Sequence, residues 1–191
     1  MRKIVLFMHT TIDGFAGGPN GEMDWIHVDD EIFDFAGNET DKSDAALYGR
    51  VTYEMMDGYW PTAGDQPNAS KHDKQHSKWY NSVTKFVLSK TLQDDQSKKT
   101  VVIHDNIGDK INEIKKQPGK NILIFGSPTA VQSLLTENLV DEIWLFVNPV
   151  VLGTGLAFFN GVKSKLALKL VSSKTFVSGV VCLHYMKEAE Q

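Results

Sequence analysis

Residues 44–56 read DAALYGRVTYEMM, and the fold is decided there. Asp44 to Tyr48 is a short apolar run of strand character, and Thr52 to Gly58 reads as a short helix. Between them stand Gly49 and Arg50, a residue without a side chain and a permanent cation. A strand that turns straight into a helix is half of a β-α-β unit, and such units build parallel sheets. The same change of pattern recurs at residues 122–135, ILIFGSPTAVQSLL.

Working outward, apolar runs and helical patterns alternate along the chain. Lys3 to Met8 reads as the first strand, and residues 10–24 as a Gly-rich loop that is mobile. Asp29 to Gly37 has Ile32, Phe35 and Ala36 on one helical face. Tyr59 to Asn68 reads as a loop and Ser70 to Asn81 as a polar helix. Val83 to Leu88 and Thr100 to His104 are the third and fourth strands. The next helix carries Ile107, Ile111 and Ile114 as an apolar stripe and stops at Gln117-Pro118-Gly119. Asn121 to Phe125 is the fifth strand, Pro128 to Leu139 a helix, and Val140 to Val151 a long sixth strand. Ala167 to Ser173 and Thr175 to Tyr185 read as an antiparallel pair. The expected architecture is α/β, a central and mostly parallel sheet flanked by helices, with an antiparallel C-terminal hairpin. No repeat or linker divides it, so residues 1–191 are read as a single domain.

Composition narrows the function. Of the 191 residues, 41% are hydrophobic and 23% charged, a globular balance, and the net charge of −4 argues against a general nucleic-acid binder. The single cysteine, Cys182, excludes a disulfide framework or a zinc cluster within one chain and reads as core filling. The apolar run before His9 is too short for a signal peptide, and no segment approaches a membrane span, so the expected address is the cytoplasm.

Ligands of open parallel sheets gather outside the carboxyl ends of the strands. The residues just past each strand are therefore informative: His9, Thr11 and Asp13 after the first, Gly49 to Thr52 after the second, Ser89 and Lys90 after the third, Gly126 to Thr129 after the fifth. The first turn of a helix leaves its amides unpaired and carries a partial positive charge. Gly49 would let a phosphate approach the backbone, and Arg50 would grip it with two hydrogen bonds. Gly126-Ser127 repeats the arrangement without an arginine, and Ser89 with Lys90 would seat a third phosphate. Together these suit a dinucleotide with an additional 2′-phosphate, that is, NADP. The competing reading is a tight turn with a solvated arginine beside an ordinary helix cap.

Other signatures are missing from the sequence. There is no G-x-G-x-x-G after a strand, no Gly-Lys-Ser/Thr and no Gly-x-Ser-x-Gly elbow. His72 and His76 lie four apart on a polar helix without the glutamate of a zinc-protease motif, and read as a solvated face.

Four stretches, LYGRVTYE, FVLSKTL, ILIFGSPTAVQSLL and VDEIWLFVNPVVLGTG, occur in one order. So arranged, they resemble the dihydrofolate reductase-like superfamily. The likeness is nearest to stand-alone relatives of the reductase domain of the bifunctional riboflavin-biosynthesis deaminase/reductase, the RibD C-terminal family. TTIDGFAGGPNGEMDW looks like that family's opening loop, with Thr11 in place of a serine. The family's usual Gly-Gly turn is Gly126-Ser127 here, and the deaminase half with its paired cysteines is absent.

The resemblance implies an NADPH-dependent oxidoreductase that transfers hydride to a small heterocycle. The substrate would be ribosylamino-pyrimidine-like, as for 5-amino-6-(5-phosphoribosylamino)uracil reductase, or pterin-like, as for dihydrofolate reductase. It implies that Gly49, Arg50, Val51 and Thr52 hold cofactor phosphate and that Leu88, Ser89 and Lys90 lie beside the adenosine ribose and its 2′-phosphate. Gly126, Ser127, Thr129 and Ala130 would lie under the diphosphate, with Met8 and His9 against the nicotinamide. Asp30 falls where the folate enzyme keeps a buried acid, with Glu31 as its rival; shielded by Trp25 and Phe33, it would help deliver a proton. Asp13 would orient a polar group of the substrate, and the loop from Thr10 to Trp25 would close over the site. No metal is implied. A homodimer is expected, because the resembling family pairs through its sheet. The alternative is a non-catalytic NADP-binding or dimerising module of the same fold.

Overall fold

The computed structural model describes residues 1–188. One continuous sheet takes in β1 (Ile4–Thr11), β2 (Ser43–Gly49), β3 (Thr84–Leu88) and β4 (Thr100–Ile103). It continues with β5 (Asn121–Phe125), β6 (Glu142–Asn148), β7 (Leu168–Thr175) and β8 (Val181–Lys187). The spatial order is β4-β3-β2-β5-β1-β6-β8-β7. Pairing is parallel from β4 across to β6, whereas β8 runs antiparallel to both β6 and β7. This is the expected mostly parallel sheet with an antiparallel close.

Five α-helices cover it: α1 (Asp30–Thr40), α2 (Arg50–Ala63), α3 (Lys71–Ser82), α4 (Ile107–Lys116) and α5 (Pro128–Thr136). Strand residues alternate between faces, so each central strand feeds two cores. Ile4, Leu6, Leu47 and Ile124 pack on one side with Ile111, Ile114, Val131 and Leu134 of α4 and α5. Val5, Phe7, Tyr48 and Leu123 pack on the other with Ile32, Tyr53, Trp79 and Tyr80 of α1, α2 and α3. Burial on both faces is why these strands read as unbroken apolar runs. Cys182 is core filling, and burial pushes its thiol up to about 12.

Several boundaries differ from the sequence expectation: β1 runs past Met8 to Thr11, α1 past Gly37 to Thr40, α5 stops at Thr136 rather than Leu139, and β6 starts at Glu142. Helix α2 does not stop at Gly58 but runs through Tyr59, Trp60 and Pro61 to Ala63. Aromatic packing holds this last turn despite the proline: the Trp60 Nε1–H donates to Met56 Sδ at 3.0 Å, and the Trp60 ring lies 4.0 Å from that of His76. Strand β6 ends at Asn148 because Pro149 has no amide to continue the ladder. The hairpin turn falls at residues 176–180 rather than near Lys174. It is closed by the Phe176 amide on the Val180 carbonyl, with Gly179 at φ +83°. Strand β7, at the sheet border, slips register between Leu170 and Ser172. Among the described residues no helix is long and apolar enough to cross a membrane.

Lys115 is buried, and its ammonium lies 2.7 Å from Asp141, which also accepts the Ile4 amide at 2.7 Å. Asp141 thus fastens the starts of β1 and β6 to α4. Removing one partner of a buried pair strands the other charge, whereas an exposed pair contributes little. In urea unfolding, Asp141→Ala is expected to cost about 3 kcal/mol with an unchanged m-value. Asp34→Ala, which breaks the exposed Lys71–Asp34 pair, is expected to cost less than about 1 kcal/mol.

Candidate functional site

The strand tips stand in a row. Gly49 lies opposite Leu88 in the β2–β3 register, and Phe7 opposite Phe125 in the β1–β5 register. Ser89, Gly49, Gly126 and Met8 therefore succeed one another along the carboxyl edge across three inter-strand gaps, roughly 14 Å in all. The expected cofactor turns are on one side of the molecule.

Their detailed roles differ from the expectation. Ser127, buried and left-handed at φ +61°, accepts the Gly49 amide on its Oγ at 2.7 Å. A Cβ on Gly49 would fall 3.1 Å from that oxygen and 3.3 Å from the Ala130 Cβ. Gly49 is thus a close-approach residue for α5, and its amide is already used. The unpaired amides are those of the first turns: Arg50, Val51 and Thr52 in α2, and Thr129 and Ala130 in α5, since Pro128 has none. Arg50 is not free either, because its Nη1 lies 2.9 Å from both Glu54 carboxylate oxygens. Ser89 Oγ accepts the amides of Thr91 and Leu92 at 3.2 and 3.1 Å. Lys90 is exposed and makes no ion pair among the described residues. Gly126, at φ +66°, has open space beside it: an added Cβ would meet nothing within 4 Å. Every peptide among the described residues is trans.

Beside this row lies a cleft of about 440 Å³ between the tips of β1 and β5 and the helices α1, α2 and α3. Met8, His9, Val51, Thr52, Gly126 and Ser127 line it, while Gly49, Arg50, Leu88, Ser89, Lys90, Thr129 and Ala130 lie outside its wall. His9 is the best-defined polar group. Its partner Asn148 is fully buried and held in one orientation: the Asn148 Nδ2 donates to the carbonyls of Phe146 and Thr10 at 3.1 and 3.3 Å, and its Oδ1 accepts the His27 amide at 2.9 Å. The same Nδ2 stands 3.2 Å from His9 Nδ1. An amide nitrogen donates and does not accept, so the bare nitrogen of His9 is assigned to Nδ1 and its proton to Nε2. Burial is the main cause that lowers the His9 pKa to about 4. The ring, stacked 4.8 Å from Phe146, is neutral at pH 7.

Neither expected catalytic acid lies in the cleft. Asp30 is exposed in the first turn of α1 rather than shielded, and its rival Glu31 pairs with Lys174 at 3.0 Å. Asp13 is a clamp: it accepts the Thr11 hydroxyl at 2.6 Å and the amides of Gly153 and Leu152 at 2.7 and 3.3 Å. The Thr11 hydroxyl is the main cause that holds its carboxyl below the usual carboxylate range. The loop after β1 is correspondingly pinned at its stem. Thr11 and Phe15 exchange hydrogen bonds, and Ala16 and Gly17 bond to Leu156. Its longest exposed stretch is Pro19 to Asp24.

Sequence reasoning missed His72 and His76. They are not on a solvated face: His76 is buried, burial lowers the pKa of both, to about 3 for His76, and both line the cleft. The signal was present in their spacing, since His76 shares a helical stripe with Trp79 and Tyr80, both buried. Among the described residues no group of three His, Cys, Asp or Glu side chains is placed to hold a metal.

Comparison with known proteins agrees with this architecture. The family model described as the RibD C-terminal domain matches residues 2–182. The uncharacterized protein YyaP of Bacillus subtilis (strain 168) is 37% identical over 186 residues, 96% of this chain and 94% of that protein. The crystal structure of a putative riboflavin biosynthesis protein from Shewanella sp. PV-4 superposes with a TM-score of 0.74 at 21% identity, covering 98% of this chain and 99% of the other. Dihydrofolate reductase from Enterococcus faecalis, complexed with NADP(H) and RAB-propyl, gives a TM-score of 0.61 at 16% identity, covering 98% and 97%. The fold is therefore dihydrofolate reductase-like.

The neutral His9 has a pH consequence. Unfolding returns the ring to its ordinary value near 6.5, so as pH falls the unfolded chain takes up the proton first and is favoured. Stability is expected to decline as pH drops from 6.5 to about 4. In His9→Gln the slope of unfolding free energy against pH over that window should be shallower by up to about 1.4 kcal/mol per pH unit.

Proposed function

The chain belongs to the RibD C-terminal domain family, and from that premise we propose that it acts as one NADPH-dependent reductase domain, passing hydride to a small heterocyclic substrate. The observation that carries the reading is the row of helix-starting turns along one sheet edge, next to a cleft with open space at Gly126. The amides of Arg50, Val51 and Thr52 and the Arg50 side chain would hold one phosphate of the diphosphate, and those of Thr129 and Ala130 the other. Ser89 and Lys90 would take the 2′-phosphate, and Met8 and His9 would face the nicotinamide. When bound, NADPH supplies the hydride.

The protein's own part is positioning and electrostatics. A neutral imidazole is a very weak acid, so His9 polarises a carbonyl or imine through its Nε2–H rather than protonating it. With Asp30 on the surface, the proton comes from water at the cleft mouth. The apolar walls of Phe7, Ile32 and Phe146 exclude other water and strengthen the His9 hydrogen bond.

The Arg50–Glu54 pair is exposed and weak, so a phosphate displaces Glu54 at small cost. Titration with NADPH, followed by tryptophan fluorescence, is expected to give wild-type binding well below millimolar. A charge-assisted hydrogen bond contributes about 1.5–3 kcal/mol, so Arg50→Ala should weaken binding about 10- to 100-fold, and Glu54→Gln should tighten it. Lys90→Ala should erode the preference for NADPH over NADH. Absence of wild-type binding below millimolar would overturn the reading. Binding without oxidation of NADPH across pterins and pyrimidinone ribosides would leave the non-catalytic module instead.

A further inference from the structure

The dipeptide Asn-Gly occurs twice in the chain, at residues 20–21 and 160–161, each time in an exposed loop. Asn-Gly is chemically labile. With no side chain on the glycine, its amide nitrogen can swing onto the carboxamide carbon of the asparagine. Whether it does so depends on what else those two groups are bonded to. The fold treats the two copies oppositely.

At Asn20 both reacting groups are tied. The Gly21 amide donates to the Gly18 carbonyl at 3.0 Å, and the Asn20 Nδ2 donates to Glu22 Oε1 at 2.7 Å. The other Glu22 oxygen accepts the Asn20 amide at 2.9 Å, so a carboxylate stands close to where the reaction needs an amide to lose its proton. At Asn160 neither group is tied. The Gly161 amide and the Asn160 carboxamide make no hydrogen bond among the described residues. Gly161 has φ +84°, and a Cβ there would meet nothing within 4 Å, so the peptide has room to turn. The span is held at its two ends instead. Gln132 Nε2 donates to the carbonyls of Ala157 and Phe158 at 2.9 and 3.3 Å, and Phe158 is fully buried. At the other end the Thr136 hydroxyl donates to the Gly161 carbonyl at 3.3 Å.

We propose that Asn160 is a site of spontaneous modification, deamidating through a cyclic imide, while Glu22 and the Gly18 carbonyl hold Asn20 intact. The Gly161 nitrogen gives up its proton to hydroxide and bonds to the side-chain carbonyl carbon of Asn160. The bond from that carbon to the side-chain nitrogen breaks, and ammonia leaves. Water then opens the imide at either of its carbonyls. Opening at one restores the main chain with an aspartyl residue in place of Asn160. Opening at the other leaves an isoaspartyl link, in which the chain runs through the former side chain. The net change is a water consumed and an ammonia released, with no oxidation or reduction. Either product sets a carboxylate near the last residue of α5, the end at which the helix dipole disfavours negative charge. The isoaspartyl product also offers a free α-carboxylate to enzymes that methylate such groups. Its longer main chain falls between the Gln132 and Thr136 ties. That is next to the segment that grips the loop after β1, through the Leu156 and Phe158 amides on the carbonyls of Gly17 and Gly14 at 2.9 Å each. The inference stands apart from the reductase reading.

The test incubates the full chain in mildly alkaline buffer, folded and, in parallel, unfolded in urea. Proteolytic peptides are followed by mass and by enzymatic methyl transfer from S-adenosylmethionine to isoaspartate, and each rate is expressed against the same peptide's rate in urea. In the folded chain the Asn160 peptide is expected to gain about 1 Da, and isoaspartate with it, at close to its urea rate. The Asn20 peptide should lag its own urea rate by at least about tenfold. Asn160→Gln, whose longer side chain closes the ring poorly, should abolish conversion at that peptide. Glu22→Ala should speed conversion at Asn20 in the folded chain by about tenfold. The proposal fails if Asn20 keeps pace with Asn160 in the folded chain, or if Asn160 converts at less than about a tenth of its urea rate. An Asn20 rate unmoved by Glu22→Ala would sink the protective role given to Glu22.

Discussion

A single contact sets the distance between the two helix-starting turns at the strand tips: the Gly49 amide on the Ser127 hydroxyl. It joins the end of β2 to the start of α5, and it requires both residues as they are. Any side chain at 49 would press on Ser127 Oγ and Ala130. Ser127 in turn must take a left-handed backbone that costs a non-glycine residue roughly 1 kcal/mol. In return, a buried donor and a buried hydroxyl satisfy one another, and leaving either unpaired would cost more than the bond itself contributes. With that distance fixed, the free amides of α2 and α5 converge on one strip of surface, and the cleft opens beside it.

The parts of the fold legible in the sequence are those where one force dominates. Strands buried on both faces, such as Val5 to Met8 and Ile122 to Ile124, leave unbroken apolar runs, and the Ile107, Ile111, Ile114 stripe leaves a helical period. The strand-to-helix turns at Gly49 and Gly126 are visible because parallel sheets need them. What was not legible depends on pairing across the fold. Nothing local says that Gly49 spends its amide on Ser127 or that Asp13 faces the backbone of Gly153, whereas the Arg50–Glu54 pair lies four residues apart on one helix, a spacing the sequence does show. The last turn of α2 defied its proline because rings from α3, distant in sequence, pack on Trp60. Asp30 misled for the opposite reason: an acid early in a helix suits the helix dipole wherever it points. His72 and His76 were hidden by lysines and aspartates on the same helix, whose outer face is solvated while its inner face closes the cleft.

The site divides into two environments. Along the strand tips stand the helix-starting turns of α2 and α5, with Arg50, paired to Glu54, and the exposed Lys90 beside them. Inside the cleft, uncharged rings and thioethers dominate, and the two imidazoles nearest the interior, His9 and His76, are kept neutral by burial. Asn148 is the residue on which the inner environment turns. Fully buried and with all its polar atoms used, it settles which nitrogen of His9 bears hydrogen and ties β6 to β1 and to the segment at His27.

The slipped register of β7 has a consequence for the molecule among its own copies. This strand ends the sheet and bares Leu170 and Val171 to water, the type of margin on which further strands are prone to dock. The irregularity falls beside those two residues, so an incoming strand would find its hydrogen-bonding partners out of step after a few residues. Identical strands stacking on this margin would have to break step there, a feature that works against edge-to-edge association.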